Sequence, residues 1–163
     1  MGFDRTAWNG LITQVDATAQ YPLNAERWYE HPTYGMTMWR YVLNGEAATA
    51  FAQGDVVQVK ASTLAWGTAI LAATAKLPRN KVLGVADHAI AAGSYGWVIC
   101  QGRCQVECDG SVAANDTIMC EGTAGRVKTA TLTNADEVAA AFGIALEADG
   151  AAGSLADCRI SCL

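Results

Sequence analysis

Hydrophobic and polar positions alternate most clearly over residues 95–108. Val98, Cys100, Gly102, Cys104, Val106 and Cys108 share one parity, while Gln101, Arg103, Gln105 and Glu107 share the other. A period of two with a polar opposite side predicts a half-buried β-strand. Residues 83–86 form a short apolar run upstream, and the turn-prone Ala91-Ala92-Gly93-Ser94 separates the two. Similar short runs punctuated by turn residues recur along the chain. Residues 34–43 read as a strand, and Asn44-Gly45 is a strong two-residue hairpin signal because both positions tolerate positive φ. Residues 46–51 are then the return strand. Gly54-Asp55 leads into a strand at 56–60, and 117–120 and 126–130 form a pair around the tight loop 122–125. Residues 64–77 are apolar and Ala-rich, readable as strands broken at Gly67 or as a short helix, and 78–81 is a turn. Thr133-Asn134-Ala135-Asp136 can cap one helical turn, with a strand from Ala141 onward. Many short strands between Gly, Asn and Asp turns predict a mainly β fold, a small barrel or sandwich.

The pattern repeats. Ala52-Gln53-Gly54-Asp55-Val56-Val57 matches Ala113-Ala114-Asn115-Asp116-Thr117-Ile118. Gly84-Val85-Ala86 matches Gly143-Ile144-Ala145, and Ala91-Ala92-Gly93-Ser94 matches Ala151-Ala152-Gly153-Ser154. The offsets from Asp55 to Asp116, Gly84 to Gly143 and Gly93 to Gly153 are 61, 59 and 60 residues. We read two copies of one strand-rich unit, at about 50–108 and 113–163. One such unit cannot bury its apolar side alone, so the two close on each other.

Residues 1–45 differ in kind. They hold eight of the thirteen aromatic residues and two of the three prolines, Pro22 and Pro32. A short helix fits 6–15, and extended or irregular chain fits 21–34, where proline disfavours helix. Rings carry large buriable area, so this composition is not that of a disordered tail. Three surfaces can bury them: the barrel of the same chain, a sister subunit, or another protein. The expected organisation is therefore an extended N-terminal arm, 1–45, ahead of a β-barrel domain, 46–163. The rings expected at an interface with a sister subunit or another protein are Trp8, Tyr21, Trp28, Tyr29, Tyr34, Trp39 and Tyr41.

Composition narrows the chemistry. The chain has 163 residues and a net charge of −5, with a pI near 4.9, which argues against a nucleic-acid partner. No apolar window is long enough to span a membrane as a helix, and no secretory signal pattern is visible. All six cysteines follow residue 99, at 100, 104, 108, 120, 158 and 162. Zinc sites favour Cys-x2-Cys knuckles, whereas a four-residue step in a strand keeps side chains on one side. Small buried free thiols, disulfides and a metal site all remain open, the first fitting best. His31 suits stacking or a hydrogen bond. His88 with Cys100 or Cys104 is the one thiol–imidazole arrangement worth testing. There is no P-loop, GxGxxG after a strand or HExxH. The expectation is a non-enzyme with no cofactor and no metal.

The run VAANDTIMCEGTAGRVKTA, a Thr/Asn/Asp-rich linker and then FGIALEADGAAGSLADCRISCL resembles the head-decoration (cement) proteins of tailed bacteriophages. The resemblance covers the last third of the chain, and 50–108 more loosely through the repeat. The cysteines depart from the pattern, and the aromatic arm is not covered. The resemblance implies a small β-barrel on the outer capsid surface, assembled in the host cytoplasm as a homotrimer. It would contact the major capsid protein, bridge neighbouring capsid subunits and stabilise the lattice. A head fibre or tail component is the related alternative. A cysteine-based metal- or small-molecule-binding barrel is the alternative from a different class.

Overall fold

The computed structural model describes residues 12–60, 67–110 and 112–162. The strands are β1 (Glu26–His31), β2 (Gly35–Asn44), β3 (Val56–Val59), β4 (Thr68–Leu71), β5 (Val82–Ala86) and β6 (Tyr95–Glu107). They continue with β7 (Thr117–Cys120), β8 (Val127–Thr129), β9 (Gly143–Ala145) and β10 (Leu155–Ser161). A 3-10 turn covers Arg79–Lys81, and a short helix, α1 (Ala135–Ala140), begins at Asn134, whose side chain accepts from Glu137 N–H at 3.0 Å. The fold is mainly β, as the alternation predicted. The ten strands lie in the order β1-β2-β4-β3-β5-β6-β10-β9-β7-β8, with a further pairing of β2 to β6. That pairing bends the first half of the sheet into a partial ring. Its β2–β4 side is held by only two residue pairs, Leu43–Thr68 and Asn44–Ala69. On the other side β7 and β8 return to the end of β6 through the single parallel bridge Cys108–Val127. The sheet as a whole is not a closed barrel.

The internal repeat is present in the hydrogen bonds. Gly93 N–H donates to Asn44 O and Gly153 N–H to Cys108 O, each at 2.8 Å. Ala86 N–H donates to Asp55 O at 2.9 Å and Ala145 N–H to Asp116 O at 2.8 Å. The two aspartate side chains accept from Ala52 N–H at 2.6 Å and Ala113 N–H at 3.0 Å, closing the same turn twice. Gly54 and Asn115, which precede them, both have positive φ, at 89° and 72°. Gly84 and Gly143 also match in cause: a Cβ at either would lie 2.6 Å from Ile99 O or 2.8 Å from Arg159 O of the paired strand.

These equivalences move the unit boundaries. Asn44, at the end of β2, makes the same contacts in the first unit that Cys108, just past β6, makes in the second. Each unit therefore opens with a strand that pairs in parallel across the ring, and β6 serves both. Its first half closes unit one, and its second half opens unit two. The units thus begin with β2 and with the middle of β6, earlier than the expected starts near 50 and 113.

Two expectations are corrected. The boundary between arm and barrel at residue 45 cuts off a strand that belongs to the sheet. β2 pairs with β1, β4 and β6, and its Trp39 and Tyr41 are fully buried. The Asn44-Gly45 hairpin does not form. Residues 46–50 belong to no strand, and Phe51 makes only an isolated bridge to Ile90. The buried Asn44 side chain instead donates to Thr49 O and Ile90 O and accepts from Glu46 N–H, which ties down a loop. Residues 6–11 of the expected helix at 6–15 lie outside the described residues, as do 64–66 of the Ala-rich run.

The main core contains Trp39, Tyr41, Trp97 and all six cysteines, and a second cluster gathers Val42, Phe51, Val57, Leu83, Ile90 and Val98. The six thiols are free and buried. They act as small apolar side chains on the inward face of β6, β7 and β10.

Candidate interaction surface

The aromatic residues that were expected at an interface divide into three groups. Trp8 lies outside the described residues. Trp39 and Tyr41 are core residues and are not available to a partner. The Trp39 indole donates to Thr37 Oγ1 at 2.8 Å, and Tyr41 O–H donates to Asp16 Oδ2 at 2.8 Å. Burial, first of several causes, pushes the Tyr41 phenol up to about 12. Tyr21, Tyr29 and Tyr34 are half-buried against this core. Tyr21 packs 5.3 Å from both Tyr41 and Trp97, with the Arg27 guanidinium 4.6 Å over its face. Tyr29 meets Trp39 edge-on at 6.5 Å. Tyr34 stacks on His31 at 4.3 Å, and His31 Nε2 lies 3.4 Å from Asp87 Oδ2, which holds the tip of the β1–β2 hairpin near the end of β5. Trp28 alone among the six described rings points outward, 57% exposed.

Trp28 belongs to a surface that crosses six strands. The registers place Trp28 beside Met38, Met38 beside Gln101, Gln101 beside Ser161, Arg159 beside Ile144, and Ile144 beside Thr117. Because side chains alternate across a sheet, these neighbours share its outer side. All but Met38 line a groove of about 660 Å³ with Met36, Phe142 and Arg79. Trp28, Met36 and Ile144 are 57%, 58% and 47% exposed, large values for apolar side chains gathered in one place. No carboxylate lines the groove, although the chain is acidic overall. Arg79 and Arg159 line it without an ion pair to any described residue, whereas Arg40, Arg103 and Arg126 all pair with carboxylates. An apolar groove with two unpaired guanidinium groups suits an apolar segment that carries a carboxylate.

Sequence reasoning found Trp28 but not Met36, Ile144, Arg79 or Arg159. Ile144 is matched by the repeat to Val85, yet Val85 is buried and Ile144 is exposed, so the repeat carried no sign of the groove. The two arginines are far apart in sequence and meet only through the fold.

The search for chemistry yields little else. No cluster of three or more His, Cys, Asp or Glu able to hold a metal occurs among the described residues. Burial pushes the Cys100 and Cys158 thiols up to about 12 and those of Cys104, Cys120 and Cys162 well up. Cys100 Sγ–H donates to Met38 O at 3.3 Å, not to an imidazole. Both His88 nitrogens are buried without a described hydrogen-bond partner, and burial lowers its pKa. A thiolate nucleophile paired with His88 is not built here.

Compared with known proteins, the chain matches no protein-family model. It also matches no curated protein. Among solved structures, its fold is similar to the head fibre gp8.5 N base of bacteriophage phi29. The TM-score is 0.51 at 15% identity, covering 77% of this chain and 96% of that one. At that identity the likeness is one of fold. The likeness spans nearly the whole of the phi29 N base.

Proposed function

We propose that this protein is a structural component of a phage head, a non-enzyme that binds the outside of the capsid. The observation that carries the reading is the fold likeness to a head fibre base over almost all of that chain. The sequence resemblance of the last third of the chain to decoration proteins supports the same location. In the finer form of this reading the protein is assembled in the host cytoplasm, forms a homotrimer, contacts the major capsid protein and bridges neighbouring capsid subunits. The exposed face of the β1–β2 hairpin supplies part of the contact to capsid or sister subunit. A second reading, a head fibre base, is favoured by the same comparison. It places the protein at fibre sites rather than across the lattice.

Particle imaging tests both. Particles from the phage that encodes this chain, labelled with an antibody to it, should carry label on the head. Label spread over the lattice supports decoration, and label at fibre attachment sites supports the base. Heads without label, or label confined to the tail, reject the proposal. If the protein bridges capsid subunits, heads lacking it should also rupture at lower temperature than complete heads.

A further inference from the structure

We infer that the outer groove receives a second copy of this chain, through the knuckle formed by Leu132 and α1. The two surfaces are complementary. The groove presents Trp28, Met36 and Ile144 with the unpaired Arg79 and Arg159. The knuckle presents Leu132 and Val138, 45% and 58% exposed, with Asp136 between them in the first helical turn. Asp136 forms no ion pair with a described residue, whereas its neighbour Glu137 is taken by Lys76 at 3.4 Å and by the Thr131 and Thr133 hydroxyls. Leu132 holds φ at +56°, in the left-handed region that a leucine seldom occupies. That conformation projects an apolar side chain into solvent, which is unfavourable unless something covers it.

The knuckle and the groove adjoin. α1 ends at Ala140, and the next residues, Ala141 and Phe142, line the groove. One copy's knuckle therefore cannot enter its neighbour without that neighbour turning sharply relative to it. A head-to-tail contact forms a ring where the rotation between copies closes and a filament where it does not, and a sharp turn suits a ring of few copies. Arg79 and Arg159 set the direction of docking through Asp136, and Trp28 supplies the apolar anchor. The contact rests on the self-association in the finer form of the proposed function; it involves no capsid, so its failure is distinguishable from failure of the virion reading.

The test is sedimentation velocity of the full-length chain over a wide concentration range. The wild type should show a discrete species larger than a monomer. Trp28→Ala, at an exposed position that leaves the core intact, should weaken association at least tenfold. Asp136→Arg should abolish it, and combining Asp136→Arg with Arg159→Glu should restore it to within tenfold of wild type. Near-ultraviolet circular dichroism confirms that each variant is folded. A protein that stays monomeric at every concentration overturns the inference. So does an oligomer that Asp136→Arg and Trp28→Ala leave unchanged.

Discussion

At the scale of single residues, the repeat puts one side chain in two environments. Asp55 and Asp116 close equivalent turns, but their acidities move in opposite directions. The Thr129 hydroxyl, at 2.6 Å, and the Ala113 N–H hold the Asp116 carboxyl below its usual range. Burial pushes Asp55 up against the Ala52 N–H that favours its charge, and Glu107 adds repulsion that Arg126 offsets. The linkage follows from the signs. Asp116, with a depressed folded value, contributes stability that is present above the unfolded carboxylate value of about 3.9 and is lost as pH falls through the folded one. Asp55, with a raised folded value, is disfavoured when ionised, and acid returns what its ionisation costs. Asp116→Asn should therefore lose about 1 kcal/mol at neutral pH, the scale of a partly exposed charged hydrogen bond. That loss should shrink below about pH 4, where the wild-type carboxyl is itself protonating. Asp55→Asn should cost less at neutral pH. Urea titrations of the three proteins at neutral and acid pH measure both effects, and an equal Asp116→Asn loss at both pH values contradicts the assignment. The aspartates were visible in the sequence as a matched pair. Their opposite environments were not, because Glu107 and Arg126 reach Asp55 only through the sheet.

At the scale of elements, legibility followed periodicity. β6 was read from its alternation, β7 and β8 from a glycine-marked loop, and the start of β9 from its match to β5. The failures came where a local signal met a stronger tertiary one. Asn44-Gly45 has hairpin chemistry, but β6 offers β2 six paired residues, from Met38 to Leu43, and the Asn44 amide is recruited by Thr49 and Ile90. The aromatic leader looked like an arm because its rings outnumber its aliphatic residues. In fact the two rings of β2, Trp39 and Tyr41, share one face and are turned inward as the anchors of the core. A truncation shows the difference. Deleting 1–45 removes β1 and β2 and opens the ring at two pairings, so the remaining chain should lack a cooperative unfolding transition. Losing the two buried rings alone costs on the order of 3–5 kcal/mol each, a large share of the stability of a domain this size. Thermal melts by far-ultraviolet circular dichroism report the outcome. A truncated chain that melts cooperatively near the wild-type temperature would restore the separate-arm organisation. The outer groove was illegible for a related reason: it joins residues from six strands and a turn, and no stretch of sequence contains it.

At the scale of the molecule, the shared strand determines how the two units depend on each other. Residues up to about 101 of β6 close the first unit and those beyond open the second. At the junction Gly102 takes φ of +116°, opposite an irregularity in β2 between Met38 and Trp39. A Cβ there would lie 3.0 Å from Met36 O, so the crossing between units is built on a residue without a side chain. Neither unit can be cut free, since a cut on either side of Gly102 leaves one ring without a strand. The whole chain should unfold as one cooperative step. The distribution of probes makes this measurable. All five tryptophans precede residue 98, and five of the six cysteines follow residue 103. In a denaturant titration, tryptophan fluorescence reports the first unit and thiol reactivity of the buried cysteines reports the second. Coincident midpoints are expected. A thiol transition separated from the fluorescence transition would show that the second unit opens alone, and β6 would then be two strands joined end to end instead of one element holding both halves.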